Sequence, residues 1–185
     1  MIAGSTNAEK TSVLTALLQR GYRLVCDDYA VLHLEEARVL SLPVGVTVTD
    51  ATFARFPGLE QLKRESCKFW CERQWEWTVN LADIYTVAPA FAPFVPTHFY
   101  FTSPDFSNAS ELDRCPLDEA MWCFQSGYMD SLPFIVPFGE QPPAYRVRCL
   151  KLARNLASNA HFFRLINGDV EQSVDLIAEA FEGGG

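Results

Sequence analysis

Apolar positions along the chain fall into short periodic groups separated by polar turns. Val13, Leu14, Leu17 and Leu18 recur at helical spacing between Lys10 and Arg20. Gly21 stands where helices commonly end in a left-handed residue, so the pattern predicts a helix over 10–20. Ahead of it, Met1, Ile2 and Ala3 can supply only the end of a strand. Tyr22 to Cys26 (YRLVC) reads as a strand that runs into Asp27-Asp28. Ala30 to Leu34 and Arg38 to Leu42 flank Glu35-Glu36 as the arms of a β-hairpin, and Val44 to Val48 reads as a further strand.

Further along, Asp50 is placed to cap a short helix that carries Phe53 and Phe56. Leu59, Leu62 and Phe69 suggest a second helix after Pro57-Gly58, and residues 86–96 read as a connection. Thr97 to Thr102 (THFYFT) is β-branched and aromatic, the composition of a strand. Leu117 to Gly127 suits a helix, and Pro133 to Pro143 a loop. Ala144 to Ser158 then reads as a helix, His161 to Ile166 as a strand, and Asp169 to Glu182 as a final helix capped by Asp169. Interleaved strands and helices point to an α/β architecture with a mixed sheet and flanking helices.

A chain of 185 residues suits a single domain over 1–182, with the closing glycines as a tail over 183–185. The formal net charge of -8 argues against nucleic acid as a partner, because a phosphate backbone needs a basic face. A nucleotide needs only a few local cations, so ATP stays open. Pro89, Pro93 and Pro96 interrupt the longest apolar stretch, which leaves no run for a membrane span, and MIAGSTNAEK lacks the pattern of a signal peptide. The expectation is a cytoplasmic protein.

Six cysteines (26, 67, 71, 115, 123 and 149) are scattered without a CxxC pair, and three histidines (33, 98 and 161) stand far apart in sequence. Cys67 and Cys71 are one helical turn apart, but no second ligand pair follows. Reduced, mostly buried thiols are the better reading. The aromatic stretch FWCERQWEW over 69–77 reads as core or as a homo-oligomer contact rather than a ligand-stacking surface. Arg146, Arg148, Lys151 and Arg154 read as a solvated helix face rather than an anion site.

The chemistry concentrates near the start. Gly4-Ser5-Thr6-Asn7-Ala8-Glu9-Lys10-Thr11 follows the phosphate-loop pattern G-x-x-x-x-G-K-[ST] at Gly4, Lys10 and Thr11. In that pattern backbone N–H groups and a helix N-terminus face the phosphates, the lysine reaches the outer ones, and the hydroxyl binds magnesium. Glu9 stands where the pattern has its second glycine. A carboxylate about 4 Å from bound phosphate costs on the order of 1–4 kcal/mol unless it turns outward. Asp27 and Asp28, at the end of the expected second strand, are candidates for a general base and a metal ligand, or for a solvated turn.

The run from Gly4 to Asp28, GSTNAEKTSVLTALLQRGYRLVCDD, resembles the core of HPr kinase/phosphorylase and its relatives in loop, leucine-rich helix, R-G-[HY]-R-L segment and paired aspartates. Tyr29 to Val48 resembles the hairpin that follows them in the smaller relatives. The resemblance implies the P-loop fold shared with phosphoenolpyruvate carboxykinase, with the first strand truncated and upstream strands missing. It implies an ATP- and Mg2+-dependent phosphotransferase acting on a hydroxyl of a protein, peptide or small molecule. Gly4 through Ser12 would hold the nucleotide and Lys10 its outer phosphates. Thr11 and Asp28 would serve the magnesium, and one of Asp27 and Asp28 would act as base. Glu9 in place of glycine, Asn7 in place of another, and the missing later glycine-and-arginine segment leave an alternative. That alternative is a catalytically degenerate nucleotide-binding or protein-interaction module of the same fold.

Overall fold

The computed structural model describes residues 1–4, 9–27, 31–33, 38–41, 45–71, 74–104, 109–129, 147, 151, 154–155 and 158–183. The elements in chain order are β1 (Ile2–Gly4), α1 (Lys10–Gln19), β2 (Val31–His33), β3 (Arg38–Leu40), β4 (Val46–Thr49), α2 (Asp50–Arg55), β5 (Cys67–Cys71), β6 (Gln74–Val79), β7 (Pro93–Phe94), β8 (His98–Pro104), β9 (Glu111–Arg114), α3 (Leu117–Met129), β10 (His161–Asn167) and α4 (Val170–Gly183). Short 3-10 turns cover Pro57–Glu65 and Leu81–Asp83. The protein is mixed α/β. It clusters into two compact units, the first of Met1–Lys10, Leu32–Val39 and Val95–Gly185, the second of Thr11–Val31 and Leu40–Phe94.

The first unit is built on a mixed sheet in the order β1-β8-β10-β9, parallel except for β9. The aromatic strands lie at its centre, as a doubly covered strand requires. Phe99 stacks on Phe162 at 5.2 Å on one face, and Tyr100 on Phe163 at 5.3 Å on the other. The Tyr100 hydroxyl donates to the Ile177 carbonyl of α4, and Arg164 on the opposite face reaches Glu119 of α3 at 3.3 Å, so helices flank both faces. Helix α4 buries Val170, Ser173, Val174 and Ile177, one helical stripe. Its entry is capped as expected, with the Gln172 N–H donating to Asp169 Oδ1 at 2.9 Å. Ser110 completes the cap: its Oγ accepts from the N–H groups of Gly168 (3.1 Å) and Asp169 (2.9 Å) and lies 2.8 Å from Ser173 Oγ.

The second unit contains α1 from Thr11 onward and the antiparallel sheet β4-β6-β5. Helix α1 buries Val13, Leu17 and Leu18 as its pattern predicts, and buries Thr15 rather than Leu14. The Thr15 hydroxyl is accommodated by donating to the Thr11 carbonyl at 2.8 Å. The helix ends in a Schellman turn: Gly21 has φ 91, Tyr22 N–H donates to Leu17 O, and Gly21 N–H donates to Leu18 O.

Three sequence expectations are corrected. Tyr22–Cys26 is not a strand of the sheet that holds β1. Only Leu24 makes a bridge, to Val87, with Leu24 N–H donating to Thr86 O and Ala88 N–H to Leu24 O. The helix expected through Leu59, Leu62 and Phe69 is a 3-10 turn that buries the two leucines, and Phe69 lies on β5. Cys67 and Cys71 therefore span about 13 Å of strand rather than one helical turn, too far to share a metal ion. The cap of α2 is Thr49, one residue earlier than Asp50. The loop over 133–143 lies outside the described residues, as does most of 144–158. Lys151 and Arg154 there are exposed, whereas Arg146 and Arg148 are not described.

The aromatic stretch splits between core and surface. Trp77 is buried edge-on against Phe53 at 5.5 Å. Trp70 and Trp75, toward the hairpin tip, meet edge-on at 5.2 Å and stay exposed. The ammonium of Lys68 lies over the rings of Trp75 and Trp77, at 4.4 and 4.8 Å. Of the five described cysteines, at 26, 67, 71, 115 and 123, only Cys115 is buried. No helix among the described residues is long and apolar enough to cross a membrane.

Candidate functional site

The segment Gly4–Thr11 begins on β1 and enters α1. Gly4 closes β1 opposite Thr102 of β8. A side chain there is sterically barred: a Cβ would stand 2.4 Å from the Thr102 carbonyl oxygen and 2.7 Å from its Cγ2. Sheet packing alone thus requires this glycine.

Ser5, Thr6, Asn7 and Ala8 lie outside the described residues. Glu9 re-enters with φ 54, a left-handed backbone at an exposed position. L-residues with a Cβ adopt it at a cost, and glycine is the residue that fits it. The glycine missing from the motif is therefore missing in side chain only, since the backbone keeps a dihedral that glycine favours. Lys10 follows as the first residue of α1, partly exposed, with Thr11 and the buried Ser12 completing a first turn that carries no carboxylate. The N–H groups in the first turn of a helix attract anions.

Asp27 sits at a bend after Cys26, and its Oδ2 accepts from the Thr47 N–H at 3.3 Å, next to the start of β4. The carboxylate thus has a local structural partner. Burial, and then the Asp27 charge, push the Cys26 thiol above its ordinary value, so it stays protonated at neutral pH. Asp28 lies outside the described residues.

Sequence reasoning missed two arrangements in the first unit. One is the Ser110 cap, since β9 (ELDR) is too short and charged to signal a strand. The other is the adjacency of His98 and His161. It had a visible signal: both central strands open with His-Phe, and parallel pairing aligns the two dipeptides.

No protein-family model matches the chain, and no curated protein sequence matches it.

Proposed function

We propose that the chain is an ATP-dependent phosphotransferase of the HPr-kinase type, with Gly4–Ser12 as its phosphate-binding segment and a hydroxyl as acceptor. The observation that carries this reading is the left-handed Glu9 immediately before Lys10, the first residue of α1. A strand end, a loop that closes with a glycine-type dihedral and a lysine at a helix start are the parts from which phosphate loops are built. Lys10 is the residue for the outer phosphates, Thr11 the magnesium ligand, and Asp28 its carboxylate partner. The base is one of Asp27 and Asp28. The Thr47 hydrogen bond gives the Asp27 carboxylate a fixed backbone partner.

Phosphate release from Mg-ATP, followed without added acceptor, tests the reading. Slow turnover that Lys10→Ala and Asp28→Asn each abolish supports it, and turnover unchanged in Lys10→Ala refutes it.

A second reading is favoured by Gly4 and by the charge of Glu9. With Gly4 explained by Thr102, fewer motif positions need a phosphate to account for them. Glu9 adds a negative charge at the loop end. A non-catalytic module of the same fold would bind Mg-ATP weakly and show no turnover even in Glu9→Gly.

A further inference from the structure

His98 of β8 and His161 of β10 face each other in register on parallel strands, so their side chains leave the same face of the sheet. Their ring centroids are 5.0 Å apart with the planes tilted by 38°. His98 is only 9% exposed, and among the described residues its Nε2 has no hydrogen-bond partner. Its Nδ1 lies 3.0 Å from Thr97 Oγ1. A buried imidazole nitrogen without a partner is costly, and such atoms call for an explanation. When Nδ1–H donates to Thr97, Nε2 carries a free lone pair. This is the arrangement of metal-binding histidines, whose second nitrogen is fixed by an oxygen.

We propose that His98 and His161 form a two-imidazole site for a divalent late transition-metal ion of the Cu2+, Ni2+ or Zn2+ class. Two imidazoles bound at about 2.1 Å around a tetrahedral ion bring their ring centroids to about 5 Å, the spacing found here. Imidazole ligands select these ions over Mg2+ and Ca2+. Among the described residues no third His, Cys, Asp or Glu completes a ligand cluster, so water takes the other positions and the site is exchangeable. His161 is exposed and borders a cleft of about 210 Å3 shared with Arg114, Cys115 and Phe163. The Phe181 ring packs against His98 at 5.2 Å and is itself 53% exposed. This site is independent of the nucleotide reading and shares none of its residues.

The test is titration of the full chain with Zn2+ and Cu2+, with thermal unfolding and electron paramagnetic resonance as readouts. Wild type and His33→Gln should gain thermal stability at micromolar Zn2+, and their Cu2+ spectra should show coupling to two imidazole nitrogens. His161→Gln, an exposed change that spares the core, should lose both. Thr97→Val should weaken binding about tenfold or more by freeing the His98 ring. Binding that survives His161→Gln, or stabilisation only at millimolar metal, overturns the proposal.

Discussion

The carbonyl oxygen of Thr102 lies 2.4 Å from where a Cβ on Gly4 would stand. The first glycine of the candidate phosphate loop therefore serves the sheet, whatever else it does. Gly4→Ala should destabilise the protein by about 1–3 kcal/mol, the usual cost of forcing atoms into filled space. Urea unfolding without nucleotide measures it. The loss should be the same with Mg-ATP present once binding is allowed for.

Glu9 offers a sharper separation of backbone from charge. Glu9→Gly removes both the carboxylate and the Cβ at φ 54, so it should stabilise the free protein by about 1 kcal/mol and tighten Mg-ATP. Glu9→Ala removes the charge but keeps the strained Cβ, so it should tighten Mg-ATP without that gain in stability. Calorimetry and urea unfolding on the two variants distinguish these outcomes.

Ser110 accepts two backbone N–H groups at the start of α4, from Gly168 and Asp169. Ser110→Ala leaves both without that acceptor and should cost about 1–3 kcal/mol. Hydrogen exchange should show the loss first at the Gly168 and Asp169 amides.

Burial, followed by the Glu119 charge, pushes the Cys115 thiol up to about 11 from an ordinary value of 9.0. Between these values the unfolded thiol has given up its proton while the folded one keeps it. The folded state then binds more protons, and stability falls as pH rises from 9.0 toward 11. Cys115→Val should flatten that part of the stability profile. Alkylation at pH 8 should modify the exposed Cys67 long before Cys115.

Local signals in the sequence were readable wherever local physics decides the outcome. Gly21 ends α1 because a Schellman turn needs a positive φ, and Thr97–Thr102 marks a central strand because aromatic and β-branched side chains fill both faces. Tyr22–Cys26 misled because its pattern describes a strand but cannot name a partner, and only Leu24 finds one. Phe69 and the Cys67/Cys71 pair misled because a spacing of four fits a helix face and one side of a strand alike. At the candidate site, Lys10 and Thr11 at a helix start were legible. The reason for Gly4 was not, since Thr102 lies almost a hundred residues away and only sheet pairing brings it near. The left-handed backbone of Glu9 was hidden for the opposite cause: glutamate gives no sign of the dihedral that the loop imposes on it.

In the proposed function Gly4–Ser12 binds the phosphates of Mg-ATP through Lys10. Thermal unfolding of wild type and Lys10→Ala, with and without Mg-ATP, is the decisive measurement. At a hundred times its dissociation constant the nucleotide should add about 2.7 kcal/mol to wild type. Lys10→Ala should unfold at the same temperature as wild type without nucleotide and gain almost nothing from it. A wild type that gains no stability at millimolar Mg-ATP, or a Lys10→Ala variant stabilised as much as wild type, rules out phosphate binding through Lys10.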